Sequence, residues 1–392
     1  MRSPRALIPQ APDGLALAPT YMAYPDPIEP QVNLADFLHL RTIELNGQTA
    51  TWASGTASAP SQRQLRWELP PVGLLSRIYI DVDGGTATAY DFTAGGGTGA
   101  PAALGDGPYG VVDNVGLKIN GGVAVFDVSG FGAMLLEAAE STESLPQTQG
   151  VGVVYTTAPT DIESTIFNYP GAADGRPRWG ISVPLSLTPG NPLGMILAGN
   201  DQTSIELVLT LTTLDRYALL AGGGTATLTL TFIPTVELFD VPEPAAFGQY
   251  VRPMLDWAHV CREWRQDITG TGEVPITLDN HDNILQIIHT TVLNGTVNTD
   301  ALDRGRFLLN RGDYRYDDRA ATHWRRQRRV FGKDIPAWAW TFFATKTLRD
   351  AIRADSYTDI RSMLTIAAGT TLGTAYFRTA ERRLIQLDQR AG

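Results

Sequence analysis

The sequence of 392 residues contains one cysteine, few charged side chains and no long apolar run. Cys261 alone can form neither an internal disulfide nor a cysteine metal cluster, so packing and association must hold the fold together. No window approaches the roughly 18 consecutive apolar residues of a membrane span. The first 20 residues lack the unbroken apolar core of a signal peptide. We therefore expect a protein that is made and kept in a cytoplasm.

Charge is scarce and unevenly distributed. Charged residues make up 18% of the chain, apolar residues 43%, and the net charge is −10. Residues 1–240 carry 10 basic and 23 acidic side chains, whereas residues 241–392 carry 21 and 18. Binding to nucleic-acid phosphates needs clustered cations, so we expect no direct nucleic-acid binding. The shift in composition near residue 240, together with the length, favours two domains.

The first 35 residues contain seven prolines, which fix the backbone φ angle and remove hydrogen-bond donors. They predict an extended arm. A second proline-containing stretch, ELFDVPEPAAF, is typical of a linker. The sequence therefore divides into an N-terminal arm and lead-in (1–55), a first domain (56–236), a linker (237–247) and a second domain with a short C-terminus (248–392).

Both domains consist of short runs of β-branched and aromatic residues between turn-forming clusters, which predicts an all-β sandwich or barrel. Asn120-Gly121 and Asn294-Gly295 are hairpin dipeptides. Residues 132–140 and 192–198 predict two short helices. The predicted strands are 64–69, 77–82, 115–120, 123–128, 179–187, 203–211, 225–233, 274–278, 284–293, 337–343, 361–368 and 382–387.

Candidate cofactor and metal motifs are weak. Gly95 to Ala100 formally matches a relaxed dinucleotide fingerprint, but Pro101 follows where a helix must begin, so we predict a surface loop. The nearest approach to a metal site is His281 and His289 with Asp279 and Asp282 close by. On one strand the two histidines would lie about 26 Å apart, which favours a turn followed by a core strand. We expect no cofactor and no metal.

Catalytic signals are equally weak. No G-x-S-x-G motif occurs, and nothing beside Cys261 in the sequence would lower its pKa. The carboxylate pairs Asp81/Asp83 and Asp317/Asp318 are predicted to lie in solvated turns. We therefore predict no catalytic residues and no enzyme activity.

Two features of the second domain allow several interpretations. The basic run Arg325, Arg326, Arg328 and Arg329 could bind phosphate or carboxylate, could form a solvated loop, or could pair with acidic residues of a neighbouring subunit. The third interpretation fits the charge asymmetry best, since complementary charges fix the register of subunits. The alternating aromatic residues Trp338, Trp340 and Phe342 predict a core strand face rather than a base-stacking platform.

Several stretches in sequential order resemble the double jelly-roll major capsid proteins of tectivirus-type phages, which are distantly related to adenovirus hexon. In the first domain, WGISVPLSLTPGNPLGMILAGNDQTSIELVLTL resembles the strand, short helix and strand of that family. In the second, RRQRRVFGKDIPAWAWTFF resembles its basic run, Asp-x-Pro turn and aromatic strand. TLRDAI and YFRTAERRLI continue the likeness, which covers residues 60–388.

The resemblance implies two consecutive eight-stranded jelly rolls with short helices in the connecting loops. It also implies a non-enzymatic virion protein that forms homotrimeric, pseudo-hexagonal capsomers of an icosahedral, tailless shell. Expected partners are further copies of the chain, penton and minor capsid proteins, and an internal viral membrane contacted by the N-terminal arm. The expected location is the capsid shell, with assembly in the host cytoplasm.

Two other functions remain open from the sequence. A carbohydrate-binding or receptor-binding β-sandwich of the virion would need an exposed aromatic platform or a carboxylate pair in a cleft. A minor or penton capsid protein would usually contain a single barrel. The two β-rich domains of this sequence argue against that function.

Overall fold

The computed structural model describes twelve stretches of the chain. The proline-rich arm through residue 35 and the glycine loop from Gly95 to Ala100 lie outside them, so both remain predictions. The described residues are 39–53, 58–84, 108–139, 178–187, 193–199, 204–216, 228–241, 255, 257–310, 312–331, 335–343 and 348–386.

The first half of the described chain forms two facing sheets. One has the order β1-β10-β4-β7, with β2 also paired to β10 and β8 to β4, and the other has the order β3-β9-β5-β6. The elements are β1 (Leu40–Glu44), β2 (Gln48–Trp52), β3 (Gln64–Glu68), β4 (Leu74–Asp83), β5 (Val112–Ile119), β6 (Val123–Val128), α1 (Gly130–Ala138), β7 (Arg178–Pro184), β8 (Ile196–Leu197), β9 (Ile205–Leu211) and β10 (Leu228–Phe239).

The second half repeats this arrangement. Its sheets have the orders β11-β20-β13-β17, with β14 and β18 also paired to β13, and β12-β19-β15-β16. The elements are β11 (Trp257–Asp267), β12 (Gly272–Leu278), β13 (Asn283–Leu293), β14 (Thr296–Val297), β15 (Leu302–Leu309), β16 (Asp313–Arg319), α2 (Ala320–Phe331), β17 (Trp338–Thr341), β18 (Ile352–Arg353), β19 (Ile360–Ile366) and β20 (Ala375–Gln386).

Each half has the strand order of a jelly roll. β1 and β2 are successive parts of one edge strand, because they pair with the two ends of β10. If they count as one strand and the two-residue strands are set aside, each half has eight main strands. Numbered from its own start, each half has one sheet in the order 1-8-3-6 and another in the order 2-7-4-5. The predicted all-β class with two consecutive eight-stranded jelly rolls is confirmed.

The apolar pattern of the strands explains the two cores. Along β10 every second side chain is buried, as the alternation in the sequence predicted. A first core fills the space between the sheets of the first half, and a second core fills the second half. Both hairpin dipeptides are confirmed, since Asn120-Gly121 and Asn294-Gly295 have the positive φ angles of such turns.

Some predicted boundaries differ from the structure. Residues 196–197 form β8, paired to the start of β4, and not a helix; the positive φ of Gly194 interrupts the backbone there. The helix predicted at 132–140 is confirmed as α1. β1 and β2 fall within the stretch predicted as lead-in, and β10 runs to Phe239, inside the stretch predicted as linker. The arginine-rich region contains β15, β16 and α2, and no helix was predicted there.

Candidate assembly surfaces

The two halves share a continuous sheet. β6 at the edge of the first half pairs in parallel with β11 at the edge of the second, through Phe126 with Cys261 and Asp127 with Arg262. One ten-stranded sheet therefore runs from β3 to β14. The contact joins the fifth main strand of one half to the first main strand of the next.

Helix α1 lies against the second half, and side chains of the second half bind both ends of the helix. Ser129 begins the helix, and its hydroxyl accepts a hydrogen bond from the Gly132 N–H. Glu263 on β11 accepts bonds from the backbone N–H of Ser129 (2.8 Å) and from its hydroxyl (2.7 Å). At the other end, the Gln286 amide on β13 donates to the Ala139 carbonyl (3.2 Å). A carboxylate at the N-terminus of the helix also complements the helix dipole.

The sheet face beneath α1 belongs to β11, β20 and β13. Cys261, Ile288 and Ala380 point from this face into the core of the first half. The joint is therefore apolar as well as hydrogen-bonded. Cys261 is buried and contributes to this packing.

Buried charged groups stabilise the strands next to this joint. Arg382 donates to His259 (3.1 Å) and to the Leu187 carbonyl (3.4 Å). Burial and the Arg382 guanidinium hold the pKa of His259 well below its usual value. Glu381 lies between two guanidinium groups, those of Arg262 (2.6 Å) and Arg383 (2.9 Å). Removal of one partner of such a buried pair would leave an uncompensated charge, which is strongly destabilising.

The residues of the weak metal motif do not converge. Arg383 donates to the backbone carbonyls of Asp279 and His281, so these residues form the turn before β13. His289 is buried within β13, where it shares a hydrogen bond of 2.9 Å with the Thr379 hydroxyl. Asp282 has a positive φ at the turn. The predicted turn followed by a core strand is confirmed, and no group of three metal-ligating side chains occurs within the described residues.

The carboxylate pairs lie in strands, so their predicted location in turns is wrong. Asp81 and Asp83 are in β4, and Asp317 and Asp318 are in β16. Asp317 binds Arg304, whose guanidinium lowers the pKa of that carboxyl, and Asp318 binds Arg326 at 2.6 Å. Neighbouring strand residues point to opposite faces, so Asp317 and Asp318 cannot share a proton as a catalytic pair.

The arginine run lies on α2. The opposite face of the helix is buried through His323, Gln327 and Phe331, which are spaced four residues apart. Gln327 donates to the carbonyls of Ile335 (3.1 Å) and Ala337 (3.0 Å) and accepts from the Ala339 N–H (3.2 Å). These three bonds fix α2 to the segment that leads into β17.

The four arginines have two different environments. Arg326 is half-buried, binds Asp318 and lies over the Tyr316 ring at 4.6 Å. Arg325, Arg328 and Arg329 are exposed. The predicted role of the four arginines in contacts between subunits stays a prediction, and Arg326 already has partners within the chain.

The alternating aromatic residues lie in the core. Trp338, Trp340 and Phe342 are at most 2% exposed. Trp338 stacks on His323 with ring centroids 3.8 Å apart, and burial lowers the pKa of this histidine. Trp340 stacks on Tyr316 at 5.5 Å. The prediction of a core strand face is confirmed, and these rings cannot serve as an exposed binding platform.

β16 and β1 are two of the edge strands of the described sheets. β16 pairs with β15 on one side only, and β1 pairs with β10 on one side only. Most residues of β16 are exposed and charged. Such residues disfavour nonspecific strand pairing at a sheet edge. β16 and β1 are the counterparts of the two strands that meet at the joint. No described helix is long and apolar enough to cross a membrane.

Comparisons with known proteins identify the fold. No family model and no curated protein matches the sequence. The major capsid protein of Sulfolobus turreted icosahedral virus is 13% identical, with 90% of this chain and 99% of that chain covered and a TM-score of 0.60. The chain has the double jelly-roll fold.

Two further double jelly-roll structures agree. A chain in the atomic structure of the same Sulfolobus virus is 12% identical, with 89% of this chain and 91% of that chain covered and a TM-score of 0.61. VP54 of PBCV-1, fitted into a reconstruction of the virophage Sputnik, is 10% identical, with 89% and 94% covered and a TM-score of 0.51. The double jelly roll is thus recovered over nearly the whole length of chains whose sequences differ at most positions.

Proposed function

We propose that this chain is the major capsid protein of an icosahedral virion, and that three copies associate into a capsomer with six jelly rolls. The observation that carries this proposal is the joint between the halves. The chain already contains one contact between the fifth main strand of a jelly roll and the first main strand of the next. The corresponding strands at its two ends, β16 and β1, are sheet edges among the described residues.

A contact between two different edges is heterologous. Repetition of such a contact closes into a ring if the rotation between successive units divides a full turn, and otherwise continues as a helix. Three double jelly rolls related in this way would form a ring of six similar units. The asymmetry of charge between the acidic first half and the basic second half favours such head-to-tail contact over the pairing of identical faces.

The remaining partners follow from the same proposal. The expected location is the virion shell, after assembly in the host cytoplasm, and the neighbours are other capsomers together with penton and minor capsid proteins. The N-terminal arm is the candidate for contact with an internal membrane. The role is structural and non-enzymatic, a proposal supported by the carboxylates Asp317 and Asp318, which are engaged in ion pairs on opposite strand faces.

Light scattering of the purified full-length chain tests the proposal. A mass of three times 42.4 kDa that persists on dilution, with six-lobed rings in negative-stain images, is the expected result. A stable monomer of 42.4 kDa would contradict it. Binding to a glycan array by that monomer would then support the alternative of a carbohydrate-binding virion protein, although the buried aromatic stripe gives it no platform.

A further inference from the structure

We propose that the exposed arginine face of α2 docks onto the outer face of the β1-β10-β4 sheet of a second copy of this chain. The inference rests on the proposed function and deepens it, because it names the two surfaces that would meet between subunits of the capsomer. The arginine face consists of Arg325, Arg328 and Arg329. The receiving surface is defined by Glu44, Asp81, Asp83 and Glu237.

The contact inside the chain provides the template. α1 follows the fifth main strand of the first half and lies on the outer face of the first, eighth and third main strands of the second half, which are β11, β20 and β13. Glu263 and Gln286 on that face bind its two ends. α2 occupies the same place in the second half, between β16 and β17. The corresponding receiving strands in a first half are β1, β10 and β4.

The arginines of α2 are arranged for such a contact. Arg325 is followed by Arg328 and Arg329 at spacings of three and four residues, which places them on one side of the helix. The other side is anchored by the three hydrogen bonds of Gln327 and by the stacking of His323 on Trp338. A helix fixed in this way loses little freedom on binding, so its charges are positioned before a partner arrives.

The receiving surface is acidic. In β4 the side chains of Ile78, Ile80 and Val82 point into the core, so Asp81 and Asp83 point outward. In β10 Glu237 points outward in the same way as Thr235, and Thr235 is the strand partner of Glu44. Among the described residues of these strands, Arg77 also lies on this face, where it donates to the Tyr79 hydroxyl.

Two of these carboxyl groups have raised pKa values. Burial raises the pKa of Asp81, and the nearby charge of Glu44 raises it further. Burial also raises the pKa of Glu237, although Arg77 opposes this shift. Guanidinium groups placed over such carboxylates would favour their ionised form and would gain strong, charge-assisted hydrogen bonds.

The partner must be a second copy because of the strand order. The ten-stranded sheet runs β3-β9-β5-β6-β11-β20-β13, so the joint uses one edge of each half. α2 belongs to the second half beyond the joint, whereas the acidic face belongs to the first half before it. The continuous sheet holds the two halves in one relative orientation. α2 and the acidic face of the same chain therefore cannot contact each other in the way that α1 contacts β11, β20 and β13. Between two chains the same geometry is available.

Charge reversal with rescue tests the proposal on the full-length chain. Arg325→Glu together with Arg329→Glu should raise the dissociation constant of the trimer by about tenfold or more, measured by light scattering over a dilution series. Adding Glu44→Arg and Asp81→Arg to that variant should restore the trimer, because both sides of the contact are then reversed. The matched control is Arg66→Glu with Arg353→Glu, which reverses two exposed arginines elsewhere and should leave the mass unchanged.

The outcomes separate this inference from the proposed function. A monomeric natural sequence would overturn both. If the natural sequence is trimeric and the Arg325→Glu/Arg329→Glu variant is equally trimeric, only the inference is overturned. This conclusion holds even if the variant loses binding to anionic vesicles or to DNA, because such a loss would assign the arginines to a different partner. Circular dichroism establishes that each variant is folded, and weakening of the natural trimer by added salt is expected as well.

Discussion

Glu263 accepts two hydrogen bonds from Ser129, one from its backbone N–H and one from its hydroxyl, across the joint between the two jelly rolls. The same hydroxyl accepts a bond from the Gly132 N–H, so its donor and an acceptor site are both used. A carboxylate of the second half therefore caps a helix of the first half. The contact therefore favours formation of α1 when the two halves are docked.

Loss of this cap should destabilise the joint. Glu263→Ala leaves the Ser129 N–H without its carboxylate partner at the helix N-terminus, which should lower the free energy of unfolding by about 1–3 kcal/mol. Denaturant unfolding of the full chain measures the change. Glu68→Ala alters an exposed carboxylate on β3 and serves as the control. Equal stability of both variants would show that the cap contributes nothing.

Gly305 should tolerate no side chain. A Cβ at this position in β15 would lie 2.4 Å from a ring atom of Trp338, which is itself fully buried. Gly305→Ala should therefore displace Trp338 and cost about 1–3 kcal/mol. Gly270→Ala is the matched control, because a Cβ there meets no atom within 4 Å. A fall in near-ultraviolet circular dichroism and in thermal midpoint is expected only for the first variant.

Gln327 should be essential for the position of α2. Gln327→Leu keeps a similar volume but leaves the Ile335 and Ala337 carbonyls and the Ala339 N–H without their side-chain partner. We expect a loss of about 2–4 kcal/mol in unfolding free energy, since buried backbone groups would lose hydrogen bonds. Gln386→Leu, at an exposed position of β20, should be neutral. If α2 were held by apolar contacts alone, the two substitutions would have similar effects.

The protein should lose stability in mild acid through His289. Burial lowers the pKa of His289 from 6.5 to about 3. Between these two pH values the unfolded chain therefore binds a proton at this histidine, whereas the folded chain does not. Stability contributed by this group is full above pH 6.5 and falls progressively down to pH 3. From about pH 7 to about pH 5 the loss is about 2 kcal/mol.

Paired variants isolate this effect. The glutamine of His289→Gln can keep a hydrogen bond to Thr379 but cannot be protonated. Between about pH 7 and about pH 5 the variant should therefore lose about 2 kcal/mol less unfolding free energy than the natural sequence. His281→Gln removes an exposed histidine and should retain the pH dependence of the natural sequence. Denaturant unfolding at both pH values gives the comparison. Identical pH dependence of all three proteins would exclude His289 as the acid-sensitive group.

Local sequence signals were sufficient where one strand face is buried. β10 was predicted from its strict alternation, and the aromatic residues of β17 were correctly interpreted as core. β16 was missed because its sequence DYRYDDR is an exposed edge with almost no apolar pattern. The arginine run gave no helix prediction, and the signal that indicates α2 is the four-residue spacing of His323, Gln327 and Phe331.

Long-range features could not be obtained in this way. The parallel contact between Phe126 and Cys261 joins residues far apart in sequence, and no local pattern indicates it. Residues 196–197, within the segment predicted as a helix, pair with β4 instead, so tertiary pairing overrode local preference there. The resemblance to capsid proteins predicted two consecutive jelly rolls, whereas the strand order and the joint required the structure.

The parallel contact between β6 and β11 also has a mechanical consequence. Because interstrand hydrogen bonds continue from one half into the other, the halves are joined through a shared sheet. A load applied to one half is transmitted through the sheet and through α1 to the other. If this connection keeps each chain in one shape, an assembly of such chains can curve only at the contacts between them.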